Sequence, residues 1–249
     1  MITLKSKEEI VKMERASRVV AETISRVQEQ IKPGVSTLDL DRLAEDYITS
    51  QGLKPAFKGY HGFKHTLCIS LNEEVVHGIP SKKRILKSGD IVGIDCGAIF
   101  EGYYGDSART FACGEISHQA KKLLEVTFES LNQGIQQMLP NNRLYDIGAA
   151  IEKCAQSYHF GVVREYVGHG IGTALHEDPQ IPNFGTAGTG LRLKEGMVFA
   201  IEPMFNLGTH ETVLLDDGWT VVTKDGSLSA HFEDTIVITE KGPRILTRI

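Results

Sequence analysis

The feature of this sequence that most restricts its fold is a pattern that occurs twice: a long amphipathic helix, a break at a proline, a shorter helix and a closing glycine. From Ser6 the apolar positions Ile10, Val11, Met13, Ala16, Val19, Val20, Ile24, Val27 and Ile31 keep a helical period, with Ser6 and Glu9 spaced as a capping box and Lys32-Pro33-Gly34 as the stop. Ser36 or Thr37 then opens a second helix through Leu38, Leu40, Leu43, Ala44, Tyr47 and Ile48, which ends at Gly52. The succession returns as a helix over roughly residues 117 to 139, a break at Pro140-Asn141-Asn142, a helix from about 144 to 159, and Gly161. The spacing from Pro33 to Asp39 equals that from Pro140 to Asp146, so two related halves, roughly 1–113 and 114–249, are expected within a single catalytic domain. Two independent helix pairs in an α+β domain are the alternative. Residues 66 to 70, 91 to 100, 105 to 112 and 162 to 167 are β-branched or alternating and read as strands. Either way, helices should pack on one face of a mainly antiparallel sheet in an α+β fold.

A chain of 249 residues has enough interior to bury a core without disulfides or a structural metal. With 41% hydrophobic and 24% charged residues it has the composition of an ordinary globular protein. A net charge of -5 lacks the basic excess of a dedicated nucleic-acid binder, and no apolar run reaches the roughly 18 residues that a membrane span requires. Cys68, Cys96, Cys113 and Cys154 form no C-x-x-C pair and are expected as free core thiols. Lys5, Lys7, Glu8 and Glu9 stand where a signal peptide would be apolar, so a mature N-terminus and a cytoplasmic setting are expected.

Asp95 and Asp106 flank a hairpin whose centre, by symmetry between them, falls at Phe100-Glu101. Opposite residues share a face, and like charges there are destabilising unless a shared proton, a basic side chain or a metal compensates. Arg109 is close enough in sequence to make an ion pair the competing reading. His169 lies in Gly168-His169-Gly170-Ile171-Gly172, where the flanking glycines remove side chains that would crowd an ion or substrate. Glu202 sits in the apolar run from Val198 to Met204, where an unpaired carboxylate would be costly, and Glu233 opens the apolar run to Ile238. Taken singly, each could be a satisfied core histidine or an edge-strand acid. Together, one histidine and four carboxylates form an oxygen-dominated set suited to Mn, Fe, Co or Zn. Their charge balances two divalent ions, with a shared water acidified into the nucleophile, as in two-metal hydrolases.

The segments Val76-His77-Gly78-Ile79-Pro80, Gly102-Tyr103-Tyr104-Gly105-Asp106, Val163-Arg164-Glu165-Tyr166-Val167 with the following glycine-flanked His169, Leu175-His176-Glu177-Asp178-Pro179, Ile201-Glu202-Pro203-Met204 and Gly218-Trp219-Thr220 closely resemble type I methionine aminopeptidases of bacteria, nearly end to end. The resemblance implies a pseudo-twofold pita-bread fold with the metal pair between its halves. It implies Asp95 on one metal, His169 and Glu202 on the other, and Asp106 and Glu233 bridging. It also makes Glu202 the general acid/base, and His77 and His176 the histidines that contact the scissile amide. Tyr60, Phe63 and Trp219, with Phe57 and Leu175 nearby, match the methionine pocket. Peptide and nascent-chain N-termini are the implied partners, with transient ribosome proximity and a monomeric state expected. The chain departs from many relatives at Phe57, Phe63 and Leu175. It also departs at Asp234, which stands where many carry histidine and adds an acid beside Glu233 that is expected to bear on metal choice.

The resulting expectation is a metalloaminopeptidase that removes the N-terminal methionine, with a preference for a small second residue. A proline-specific peptidase of the same fold would use similar ligands, but such relatives usually carry an additional N-terminal domain. A metal-free binding module of the fold would have lost ligands that this chain keeps. No G-x-S-x-G is present for serine chemistry, and glycines 168, 170 and 172 alone are weak evidence for a nucleotide loop.

Overall fold

The computed structural model describes residues 2–249. Its first half runs α1 (Lys7–Gln28), α2 (Thr37–Ser50), β1 (Lys54–Pro55), a single 3-10 turn, β2 (Leu67–Leu71), β3 (Glu74–Val76), β4 (Ile91–Phe100) and β5 (Tyr103–Ala112). The second half runs α3 (His118–Gln136), α4 (Leu144–Gln156), β6 (Gly161–Val162), β7 (Gly168–Gly170), β8 (Glu177–Ile181), β9 (Val198–Ile201) and β10 (Met204–Asn206). It closes with β11 (Thr212–Leu214), β12 (Val221–Thr223), β13 (Ser229–His231), β14 (Asp234–Thr239) and β15 (Gly242–Ile245).

The helix starts follow the local chemistry. Ser6 caps α1, its hydroxyl accepting from Glu9 N while Glu9 returns a carboxylate to Ser6 N at 2.7 Å. These bonds satisfy donors that the first turn leaves open. Ser36, rather than Thr37, caps α2. Both long helices stop a few residues before their proline breaks, at Gln28 and Gln136. The expected strand over 162 to 167 shortens to Gly161–Val162, which pairs with Phe205 and Asn206 of β10.

All strand pairings are antiparallel. β4 is flanked by β5 on one edge and by β2 and then β1 on the other. The second half contributes a five-stranded sheet in the order β15-β14-β9-β7-β8 and a three-stranded sheet in the order β13-β10-β6, while β11 and β12 join β3 of the first half in a third sheet. α1 and α2 seal one core, where Val20, Leu40 and Ile48 meet Leu67, Ile69 and Ile94. α3 and α4 seal the other, where Leu123, Leu131 and Ile151 meet Phe199, Ile201 and Ile236. Each such fully buried side chain contributes roughly 1.5–3 kcal/mol over an exposed one. α1 lies so close to β5 that a Cβ at Gly105 would come within 2.6 Å of Ser17 N. That contact requires glycine immediately before Asp106.

The β4–β5 hairpin differs from the symmetric expectation. Phe100 pairs with Tyr103, and the two-residue turn is Glu101-Gly102, with φ of 47° and 83°. Two consecutive positive φ values are what a type I′ turn demands, and they place the turn where glycine can take the second position. The register is therefore displaced by two residues: Asp95 pairs with Ala108, and Asp106 with Gly97. A two-residue displacement preserves the face, so the two carboxylates remain diagonal neighbours on the same side.

Candidate metal centre

The five residues expected as ligands reach one cavity from five places in the chain. Asp95 is held mid-strand in β4 between Cys68 of β2 and Ala108 of β5, and Asp106 follows on β5. His169 is the middle residue of β7 and pairs with Ala200 of β9, and Glu202 directly follows β9. Glu233 directly precedes β14 and forms an isolated bridge with Ala108, so the two halves of the chain are stitched together beside Asp106. One ligand atom each from Asp106, His169 and Glu233 all lie within 4.8 Å of one another. Asp95 and Glu202 line the same cavity, of about 360 Å³, outside that tight triple.

The electrostatics are those of a site built for cations. Asp95 Oδ1, Asp106 Oδ1 and Glu233 Oε1 are buried and have no hydrogen-bond partner among the described residues. Burial pushes the Asp95 carboxyl up to about 7. Burial, then the neighbouring carboxylates, raise Asp106, Glu202 and Glu233 well above the usual carboxylate range. Buried acceptors without donors are costly unless a proton or metal enters. Divalent cations fit this set, because carboxylate oxygens and one imidazole are hard-to-borderline donors and the negative charge exceeds that of one ion.

Arg109, the ion-pair alternative for Asp95 and Asp106, does not reach them. It pairs with Ile94, one step out of phase with Asp95 opposite Ala108, so its side chain leaves from the other face of the hairpin. There it meets Asp234, with Arg109 Nη2 2.6 Å from Asp234 Oδ1. Asp234 stands beside Glu233 in sequence, as expected, and its charge adds to those that raise the Glu233 carboxyl, but it lies behind the cavity rather than in it. Adjacent residues on an extended chain point oppositely, so Asp234 turns away from the cavity that Glu233 enters, and it adds no acid to the candidate ligand set.

His77, His176, Tyr60, Phe63 and Trp219 line the same cavity, together with Phe57 and Leu175. The His176 ring lies edge-on to His169, with ring centroids 4.3 Å apart, and Tyr60 OH is 2.7 Å from His176 Nδ1. Phe63 and Trp219 stack at a tilt, 4.9 Å apart, as an apolar wall. Burial holds the His77 imidazole down at about 4, with His176 adding to the shift, so both its nitrogens can serve neutral hydrogen bonding near pH 7.

His231 was not among the expected residues. It ends β13, and its Nε2 is buried without a partner, 3.6 Å from Glu202 Oε2, while His169 Nε2 lies 3.5 Å from Glu202 Oε1. Glu202 thus sits between two imidazoles, and burial lowers both of these to about 3. The signal was available: His231 precedes Glu233 by two residues, the spacing that returns a strand to one face. His61 and Cys68 also line the cavity and were not anticipated.

Comparison with known proteins gives consistent relatives. The profile of metallopeptidase family M24 matches residues 11–240. The methionine aminopeptidase of Clostridium acetobutylicum is 53% identical over 247 residues, covering 99% of each chain. Methionine aminopeptidase 1 of Bacillus subtilis is 54% identical over 249 residues, covering 100% of each. Among solved structures, the methionine aminopeptidase from Thermotoga maritima superposes with a TM-score of 0.99 at 48% identity, covering 100% of both chains. The prolidase from Pyrococcus furiosus superposes with a TM-score of 0.81 at 25% identity, covering 99% of this chain and 65% of that one.

Proposed function

The chain belongs to metallopeptidase family M24 and has the pita-bread fold of its relatives, and we propose that it removes the N-terminal methionine from peptides and nascent proteins. The observation that carries this reading is the cluster of partnerless carboxylate oxygens beside His169, at the floor of a cavity with an apolar aromatic wall. The preferred substrates have a small second residue. The chain is one catalytic unit, its halves roughly residues 1–113 and 114–249.

Asp95, Asp106, His169, Glu202 and Glu233 would hold two divalent ions of the Mn, Fe, Co or Zn kind. Such ions would supply Lewis acidity to a peptide carbonyl and would lower the pKa of a bound water. The rest falls to side chains. Phe57, Phe63, Leu175 and Trp219 take the methionine side chain, so that its apolar surface leaves water. Glu202, whose proton affinity is raised by burial, accepts and returns the protons of hydrolysis. Tyr60 OH lies 2.7 Å from His176 Nδ1. In the tautomer this reading assigns, the hydroxyl donates to Nδ1 and the His176 proton sits on Nε2, available to oxygen charge that develops at the scissile carbonyl. His77 contacts the amide nitrogen on its way to becoming an amine. No described helix is long and apolar enough to cross a membrane, consistent with action on free or emerging chain ends.

Release of methionine from Met-Ala-Ser and from Leu-Ala-Ser controls, measured with added Mn²⁺ or Co²⁺, tests the reading. Preferential methionine release is expected. No release, or release of leucine as readily as methionine, would overturn it. The prolidase likeness names the second outcome to score: cleavage of Xaa-Pro dipeptides in place of Met-Ala-Ser would transfer the assignment to proline-specific chemistry.

A further inference from the structure

Behind the cavity lies a buried charge network that none of the roles above uses. Asp234 is completely buried. Its Oδ1 accepts from Arg109 Nη2 at 2.6 Å and from Thr247 Oγ1 at 2.7 Å, and its Oδ2 accepts from Arg248 Nε at 2.8 Å. A buried ion pair returns little net stability compared with apolar packing, because both charges must be desolvated. Fold stability alone therefore does not account for placing one here.

The other nitrogen of the Arg109 fork shows what the network holds. Arg109 Nη1 donates to the main-chain carbonyl of Glu233, to that of Ala108 at 2.8 Å, and to Ser107 Oγ at 3.2 Å. Ser107 Oγ donates to the same Glu233 carbonyl at 2.7 Å. Reciprocally, Thr235 Oγ1 accepts from Asp106 N at 3.1 Å and donates to Asp106 O at 2.8 Å. The peptides of Asp106 and Glu233 are thus each clamped from the opposite strand. Their carboxylates, which repel, converge on the far side, where Asp106 Oδ1 and Glu233 Oε1 have no hydrogen-bond partner among the described residues. Among the described residues the Ala108–Glu233 bridge is the one ladder contact that joins the two backbones there.

We propose that Asp234 and Arg109 are a positioning pair for the candidate metal centre. Asp234 fixes the Arg109 fork from behind, and the fork fixes the Glu233 peptide so that its carboxylate faces Asp106 before any cation arrives. This rests on the metallopeptidase reading, since it assigns the clamp to ligands of that centre. Arg248, which touches Asp234 but neither Glu233 nor the β5 backbone, closes the network from outside and takes no part in the positioning.

The test is titration of the metal-stripped full chain with Mn²⁺ by calorimetry, alongside thermal melting of the same samples. Asp234→Asn keeps the shape and removes the charge, and Arg109→Lys keeps the charge and removes the fork. Each is expected to weaken Mn²⁺ binding roughly 10- to 100-fold, the range for lost supports of metal ligands. Arg248→Ala should stay within about twofold, as for a partly exposed ion pair. Ser107→Ala, a small deletion that the fold should tolerate, removes one donor from the Glu233 carbonyl and should weaken binding severalfold, so the proposal is tested even if the charge variants do not fold. Unchanged Mn²⁺ affinity in Ser107→Ala, or in folded Asp234→Asn and Arg109→Lys despite lower melting temperatures, overturns the positioning role, as does an Arg248→Ala loss equal to that of Asp234→Asn. A wild-type chain that binds no Mn²⁺ overturns the metallopeptidase reading itself, and this proposal with it.

Discussion

His169 Nε2 faces Glu202 Oε1 at 3.5 Å with no hydrogen bond between them. The reason lies on the other side of the ring, where His169 Nδ1 is 2.9 Å from Gly170 O and must donate its proton there, because a carbonyl only accepts. Nε2 is left with a lone pair aimed at a second acceptor. A cation or a proton resolves that confrontation.

Metal should therefore act as a strong stabiliser. Stripping with a chelator is expected to lower the melting temperature, and adding Mn²⁺ at a hundred times its dissociation constant should restore about 2.7 kcal/mol. His169→Ala should abolish the metal-dependent increment. Scanning calorimetry with and without Mn²⁺ checks both, and an increment that survives in His169→Ala would contradict the ligand assignment.

Asp106→Asn should separate metal binding from fold stability. The folded chain raises the Asp106 pKa above its unfolded value, first through burial and then through Asp95 and Glu202. Its contribution to metal-free stability is thus present at low pH and lost as the pH rises. Asparagine removes that loss, so at pH 8 the metal-free variant should melt above the metal-free wild type, at roughly 2–4 °C per kcal/mol for a chain of this size. The variant should gain little from added Mn²⁺. A lower metal-free melting temperature at pH 8 would count against a repelling carboxylate cluster.

His77 gives the opposite sign. Its folded pKa of about 4 lies below the unfolded value near 6.5, so between those values the unfolded chain binds a proton that the folded chain refuses. Stability falls as the pH drops through that window. By pH 5 the cost is on the order of 2 kcal/mol, which His77→Gln should relieve. Urea unfolding of both metal-free chains at pH 7 and pH 5 measures it, and parallel losses in the two would refute the shift.

The aromatic wall should set side-chain preference rather than the chemical step. Trp219→Ala opens the wall that Phe63 shares, and kcat/KM for methionyl peptides should fall roughly 10- to 100-fold, chiefly through KM. Selectivity for Met over Leu should narrow. A fall confined to kcat would place Trp219 elsewhere in the mechanism.

How much was legible in the sequence follows the reach of each signal. Helical period, capping residues and breaks are local, so the helix pairs stand within a few residues of their expected ends. Alternation put Asp95 and Asp106 on one face correctly, even though the register between them is displaced by two, because the type I′ turn took Glu101-Gly102. The segments around His77, His169, His176 and Glu202 carried the family resemblance in their own residues.

The sequence by itself determined the elements, the faces of their residues and the kind of chemistry those residue types support. Tertiary structure alone decided which faces meet. Arg109 and Asp234 are distant in sequence, and either could have faced the cavity. Their pairing behind it became visible only once β5 was laid against the start of β14 by the Ala108–Glu233 bridge. The same closure brought His231 beside Glu202 from another strand. Periodicity reports the direction of a side chain relative to its own backbone, whereas a metal site depends on distances between atoms of separate strands, which only the packed chain sets.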